Sequence, residues 1–201
     1  MRPGAKRVAV RALSWILNSG RPLQMDELRE LLLIRNGATE LNHSDLYEPG
    51  YILDACQSLL IYGKSSGVVR FAHYAVRDFL RNDYKGLPST TDLAIDCVTY
   101  LNFETFESVP TLDLSQRLKT YKALDYIAHF WDTHVRAAET SFEVQRLMFA
   151  FSNSDNKRQS MLQIRENDLK PSKSSLHVLA ECGLAMILRE ALNRIQNSKE
   201  G

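Results

Sequence analysis

The sequence has no surplus of charge of either sign: across 201 residues, 25 lysines and arginines stand against 24 aspartates and glutamates, for a formal net charge of +1. That balance excludes the global positive field that draws proteins onto nucleic acid or anionic lipid, so any partner has to be found by local shape. Long apolar runs are missing as well, and no stretch approaches the roughly 20 apolar residues that a bilayer-spanning helix needs. The opening MRPGAKRVAVRALSWIL imitates a signal peptide only until Arg7 and Arg11 break its apolar part, and no small-residue cleavage site comes after it. Cysteine is scarce. Cys56, Cys97 and Cys182 lie far apart, each in an apolar helical pattern rather than in a Cys-x-x-Cys pair. Buried free thiols in a reducing, cytoplasmic setting are therefore expected, with neither a disulfide framework nor a metal cage.

The residues present make an ordinary globular composition, 44% hydrophobic and 24% charged, long enough for one large or two small domains. Ala5, Val8, Ala9, Ala12, Leu13, Ile16 and Leu17 recur at helical spacing until Gly20 and Pro22 stop the pattern, with Trp15 beside the stripe. After the short extended RPLQ, MDELRELLLI marks a second helix, with Asp26 and Glu27 at its positive N-terminal end. Pro49 suits the first turn of a third, whose apolar face is Ile52, Leu53, Cys56, Leu59 and Leu60. In LLIYGKSSGVVRFAH two apolar runs flank a glycine- and serine-containing loop, the pattern of a β-hairpin. Helix, helix, helix, hairpin is the order of a winged helix.

AVRDFLRND continues as a helix, and KGLPSTT reads as a boundary. Thr91 and Asp92 look like the start of a helix through LAIDCVTYLNF, joined by FETFES and TLDLSQRL to a strong helix, YKALDYIAHFWDTHVRAAE. Leu124, Ile127, Ala128, Trp131 and Val135 form its stripe. FEVQRLMFAF and KRQSMLQIRE are further helices about the turn SNSDN, so the middle of the chain reads as a helical bundle.

SSLHVLAECGLAMILREALNRI resembles an ankyrin repeat, with Leu176, His177, Ala180, Gly183, Ile187 and Leu192 at matching places and Ser174 and Ser175 where the Thr-Pro pair would stand. One repeat buries too little surface alone, so further repeats are expected to follow in a parent protein. RALSWILNSGRPLQMDELRELL, FAHYAVRDFLRND, CVTYLNFETF and LDYIAHFWDTH, in this order, resemble the region between the NACHT nucleotide-switch domain and the ankyrin array of fungal NACHT–ankyrin proteins, a class of STAND-type signalling protein. The winged helix of that region often carries the label of a GPI inositol-deacylase. The resemblance extends to the architecture and not to that enzyme, since no Gly-x-Ser-x-Gly nucleophile elbow is expected here.

Several segments imitate chemistry. Gly63-Lys64-Ser65 matches the end of a phosphate-binding P-loop, but Ser58 stands where the first glycine belongs and a β-like run comes next instead of a helix. A hairpin turn is the expectation. His129 and His134 are five residues apart, so they diverge on a helix where a spacing of four would align them on a metal; His134 is expected to hydrogen-bond beside Trp131, and His177 to bond backbone as in an ankyrin turn. The aspartates and glutamates read as solvated helix faces, as do the basic residues Arg2, Lys6, Arg7 and Arg11 of the first helix. His73 is the candidate binding residue. FAHYAVRDF resembles the Met-His-Asp motif of nucleotide-switch ATPases, in which a winged-helix histidine contacts the β-phosphate of ADP and holds the closed state; Tyr74 stands in the place of the motif's aspartate. Two readings of His73 stay open: phosphate contact in the presence of a partner nucleotide-switch domain, or a capping or core histidine.

The expected fold is mainly α, with a winged-helix domain over residues 1–85, a helical linker domain over 86–168 and a first ankyrin-like repeat over 169–201. The expected function is that of a non-catalytic regulatory and protein-interaction module, with no catalytic residue, metal or cofactor of its own. Its expected partners are proteins, an upstream NACHT-type domain and further ankyrin repeats, with no nucleic acid and no membrane. The alternative is a winged-helix DNA-binding protein, against which the third helix offers no lysine or arginine and carries Asp54.

Overall fold

The computed structural model describes residues 3–108, 113–166 and 173–200. The chain opens with α1 (Pro3–Asn18), β1 (Leu23–Gln24), α2 (Met25–Leu31), α3 (Pro49–Ala55), β2 (Leu60–Tyr62) and β3 (Val68–Phe71). Pro49 opens α3 as its spacing predicts, but the helix ends at Ala55, and Leu60, expected on its apolar face, begins β2. β2 and β3 form the wing, antiparallel, with Leu60 opposite Phe71 and Tyr62 opposite Val69. RPLQ contributes more than a connection. Its β1 pairs with β3, Leu23 opposite Val69, making a three-stranded sheet in the order β1-β3-β2 and completing the winged helix.

α4 (Tyr74–Asn82) leaves the wing and packs against α1 and β3. α5 (Thr90–Leu101) then starts slightly earlier than Thr91 and Asp92 suggest. Ser89 is its N-cap, its hydroxyl accepting from the Asp92 backbone N–H while the Asp92 carboxylate accepts from the Ser89 N–H. TLDLSQRL is not only a connector: Asp113 caps a short helix, α6 (Leu114–Thr120). α7 (Leu124–Arg136), α8 (Phe142–Asn153) and α9 (Asp155–Glu166) complete the bundle, α5 packing on α7 and α8, and α9 on both of the latter. The stripe read from the sequence on α7 is buried throughout.

α10 (Ser175–Glu181) and α11 (Ala185–Glu200) form an antiparallel helix pair at the end of the chain. Gly183 sits between them at φ +67°, where a side chain would be strained, and two hydrogen bonds close the turn: Gly183 N–H to the Ala180 carbonyl and Leu184 N–H to that of Leu179. Arg136 donates to the Cys182 carbonyl (2.8 Å) and Lys173 bridges Glu166 and Glu181, fastening the pair to the bundle. The expected junction at 168/169 lies outside the described residues, as does Arg2.

A single contiguous core runs from α1 of the winged helix through α5 and α7 to α10 and α11. Trp15, which the periodicity leaves beside the α1 stripe, is fully buried. Cys56, Cys97 and Cys182 are buried free thiols, and burial pushes the Cys56 thiol up to about 12. No helix among the described residues is long and apolar enough to cross a membrane.

Candidate functional site

Two regions concentrate unusual chemistry: the seam between winged helix and bundle, and the surface around the wing and α4. At the seam the sequence reading of Asp and Glu as solvated faces fails. Glu27, Glu30, Asp96 and Asp132 are all buried. Glu30 lies on α2 and is only 1% exposed. One of its oxygens accepts the Lys122 backbone N–H (2.8 Å); the other accepts the Ala123 N–H (3.0 Å) and the Tyr100 hydroxyl (2.9 Å). Ala123 is the N-cap of α7 and its methyl group can accept no hydrogen bond, so the winged helix supplies the missing cap, a carboxylate at the positive end of a bundle helix. Burial pushes the Glu30 carboxyl up, and the amides of Ala123 and Lys122 and the Tyr100 hydroxyl oppose that shift.

Arg11 is a second correction. Expected on a solvated face, it reaches across to Asp96 of α5 (2.9 Å) and also donates to the carbonyls of Leu31 and Ile34. A third charged link is Arg21, whose guanidinium is held by Glu27 (2.7 Å) and Asp125 (2.8 Å) and lies over the Tyr126 ring. Between these links Trp15 meets Tyr126 and His134 edge-on, at ring-centroid distances of 6.2 and 5.5 Å. His134 does hydrogen-bond, to the Tyr126 hydroxyl at 2.8 Å, but the indole it meets there is Trp15 and not Trp131. Burial lowers its pKa to about 4, so it is neutral at physiological pH.

Burial raises Asp96 to about 7 even with Arg11 beside it. The folded carboxyl then keeps its proton to a higher pH than in the unfolded chain. Its contribution to stability is fully present below about pH 4 and is lost as pH rises through about 7, on the order of 2 kcal/mol between pH 5 and pH 8. Asp96→Asn has no proton to lose. Its stability relative to the parent chain, from urea unfolding at the two pH values, is expected to improve by that amount at pH 8, and an unchanged gap would contradict the assignment.

At the wing, Gly63-Lys64-Ser65 forms part of the loop between β2 and β3, closed by Gly63 N–H to the Val68 carbonyl (3.0 Å) and Gly67 N–H to the Gly63 carbonyl (2.7 Å). This is a hairpin turn between strands, not the strand-to-helix cradle of a phosphate loop. The same residues, Gly63 to Gly67, also spell Gly-x-Ser-x-Gly, contrary to the expectation that no such motif is present. The letters are present without the elbow: Ser65 is exposed at the wing tip, and the chain enters β3 directly after the loop, where a nucleophile elbow requires a helix.

His73 occupies the N-cap position of α4, yet its ring caps nothing and is exposed, with no hydrogen bond among the described residues. The ring therefore neither caps α4 nor belongs to the core. Its neighbours are unusually open: Tyr74 is 83% exposed, and Arg70 and Arg77 are exposed without an ion pair among the described residues. His129 bonds back to the Asp125 carbonyl on its own helix (2.8 Å) while His134 points into the seam, so α7 does not bring the two together. The His177 side chain makes no hydrogen bond among the described residues; its backbone N–H donates to the Ser174 hydroxyl. On α3 the exposed residues include Tyr51 and Asp54, with no cation.

These features define a mainly helical protein in which a winged-helix module is joined to a helical body by a buried, partly charged seam. A family model described as the winged helix domain of GPI inositol-deacylase matches residues 1–96, from α1 into α5. No curated protein and no solved structure matches the chain.

Proposed function

We propose that the chain is a non-catalytic regulatory and protein-interaction module of a NACHT–ankyrin-type cytoplasmic signalling protein, coupling a nucleotide-switch domain to an ankyrin array. The observation that carries this reading is the seam. Glu30 capping α7, Arg11 paired with Asp96, and Trp15 packed edge-on against the hydrogen-bonded Tyr126 and His134 tie the winged helix to the bundle, so displacement of one moves the other. The family-model match over residues 1–96 supports the winged-helix half. At the other end of the chain, Met186 and Leu192 leave apolar surface exposed on α11, where a further helix pair would stack.

In this reading His73 is the contact with nucleotide. It stands on the surface at the start of α4 with its ring unengaged, available to a phosphate presented by a neighbouring domain. In a longer protein carrying the upstream switch domain, His73→Ala is expected to speed ADP release about tenfold, the effect of losing one charge-assisted hydrogen bond. Bound nucleotide is followed with a fluorescent ADP analogue. An unchanged release rate removes His73 from the site.

A further inference from the structure

Beside the wing, where α1 ends, β3 runs on and α4 begins, lies a cleft of about 470 Å3. Its floor is apolar, formed by the half-buried side chains of Ile16, Leu17 and Phe71. Arg21, Arg70 and Arg77 also line it, and no aspartate or glutamate does among the described residues. The three arginines are not equivalent. Arg21 is already neutralised by Glu27 and Asp125, whereas Arg70 and Arg77 are exposed and have no carboxylate partner among the described residues. The cleft therefore carries two uncompensated guanidiniums over an apolar base. Pairing of β3 with β1 stops at Val69, so no strand of this sheet fills the space alongside Arg70 and Phe71 on that side.

We infer that this cleft is a docking groove for an acidic segment of a partner protein, with carboxylates meeting Arg70 and Arg77 and an apolar side chain set between them on the floor. The complementarity is twofold. Guanidinium forks bind carboxylates with two parallel hydrogen bonds, and the concave apolar base, with Tyr74 standing 83% exposed at its edge, gives a peptide side chain something to bury against. Duplex DNA fits less well. A phosphate backbone gains nothing from an apolar base, and α3, the helix that would enter a groove, presents Asp54 and no cation. The inference does not depend on a nucleotide-switch neighbour, because neither His73 nor a phosphate takes part.

The test uses the whole chain and a short fluorescein-labelled peptide alternating glutamate and leucine, read by anisotropy. Binding is expected at about 50 mM salt and to weaken severalfold at about 300 mM, as for exposed ion pairs. Arg70→Gln and Arg77→Gln are each expected to weaken it about tenfold with an unchanged thermal midpoint, since neither side chain holds the fold. The doubly reversed variant, Arg70→Glu with Arg77→Glu, should instead take the lysine–leucine counterpart. Equal binding of a glutamine–leucine peptide, no binding of the acidic peptide by the intact chain, indifference to the arginine substitutions, or tighter binding of a DNA duplex that those substitutions abolish would each overturn the inference.

Discussion

Trp15→Ala is expected to destabilise the chain by about 4 kcal/mol, the upper range for deleting a fully buried aromatic side chain. A domain of this kind has a total stability of roughly 5–15 kcal/mol, so the variant should sit near the edge of folding. The reason is location. The indole belongs to the first helix of the winged helix yet packs on Tyr126 and His134 of α7, so its removal opens a cavity at the seam rather than within one part. Trp15→Phe should cost much less, because the indole N–H has no hydrogen-bond partner among the described residues and losing it leaves none of their groups unsatisfied. Trp131, the other tryptophan of the sequence, remains to report unfolding in urea by fluorescence. A loss below about 1 kcal/mol for the alanine variant would mean that the seam does not hold the two parts together.

Glu30→Ala is expected to cost about 3 kcal/mol, because it leaves the Ala123 N–H and the Tyr100 hydroxyl without their acceptor in a buried site and removes the acceptor of the part-buried Lys122 N–H as well. The cost has a local signature. Amide exchange at Lys122 and Ala123 should accelerate far more than at buried positions of α8, since α7 has no side-chain cap of its own to fall back on. Combining Glu30→Ala with Tyr100→Phe should be clearly less than additive, because both remove the same hydrogen bond. Full additivity, or unaltered exchange at Lys122 and Ala123, would show that Glu30 is merely buried and caps nothing.

Local pattern is strongest where the chain repeats itself. The stripe on α7, the Pro49 start of α3, the hairpin around Gly63 to Gly67 and the helix pair turning at Gly183 are each legible in the sequence, because periodicity, a missing N–H or a glycine at positive φ acts within a few residues. β1 is not legible. Two residues carry no period, and only their partners Val68 and Val69, far along the chain, make Leu23 and Gln24 a strand. The Gly-x-Ser-x-Gly spelling at Gly63 to Gly67 shows the converse, a motif in letters that the adjoining strand deprives of its geometry.

The candidate surfaces divide in the same way. His73 stands out in the sequence through its setting between wing and helix, but that its ring is neither a cap nor part of the core is a fact of the folded chain. The arginine cleft has no sequence signal at all, since Arg21, Arg70 and Arg77 are separated along the chain and meet only where α1, β3 and α4 converge.

By itself the sequence determined the run of helices, the wing and the near-zero net charge, each set by residue spacing or by composition. Only the tertiary structure decided which charges leave water. Glu30 and Arg11 read as ordinary surface residues on their own helices, and nothing local marks them otherwise. Whether a carboxylate is solvated or buried depends on what the far side of the fold brings to it, here the uncapped start of α7 and the Arg11 guanidinium that meets Asp96 of α5.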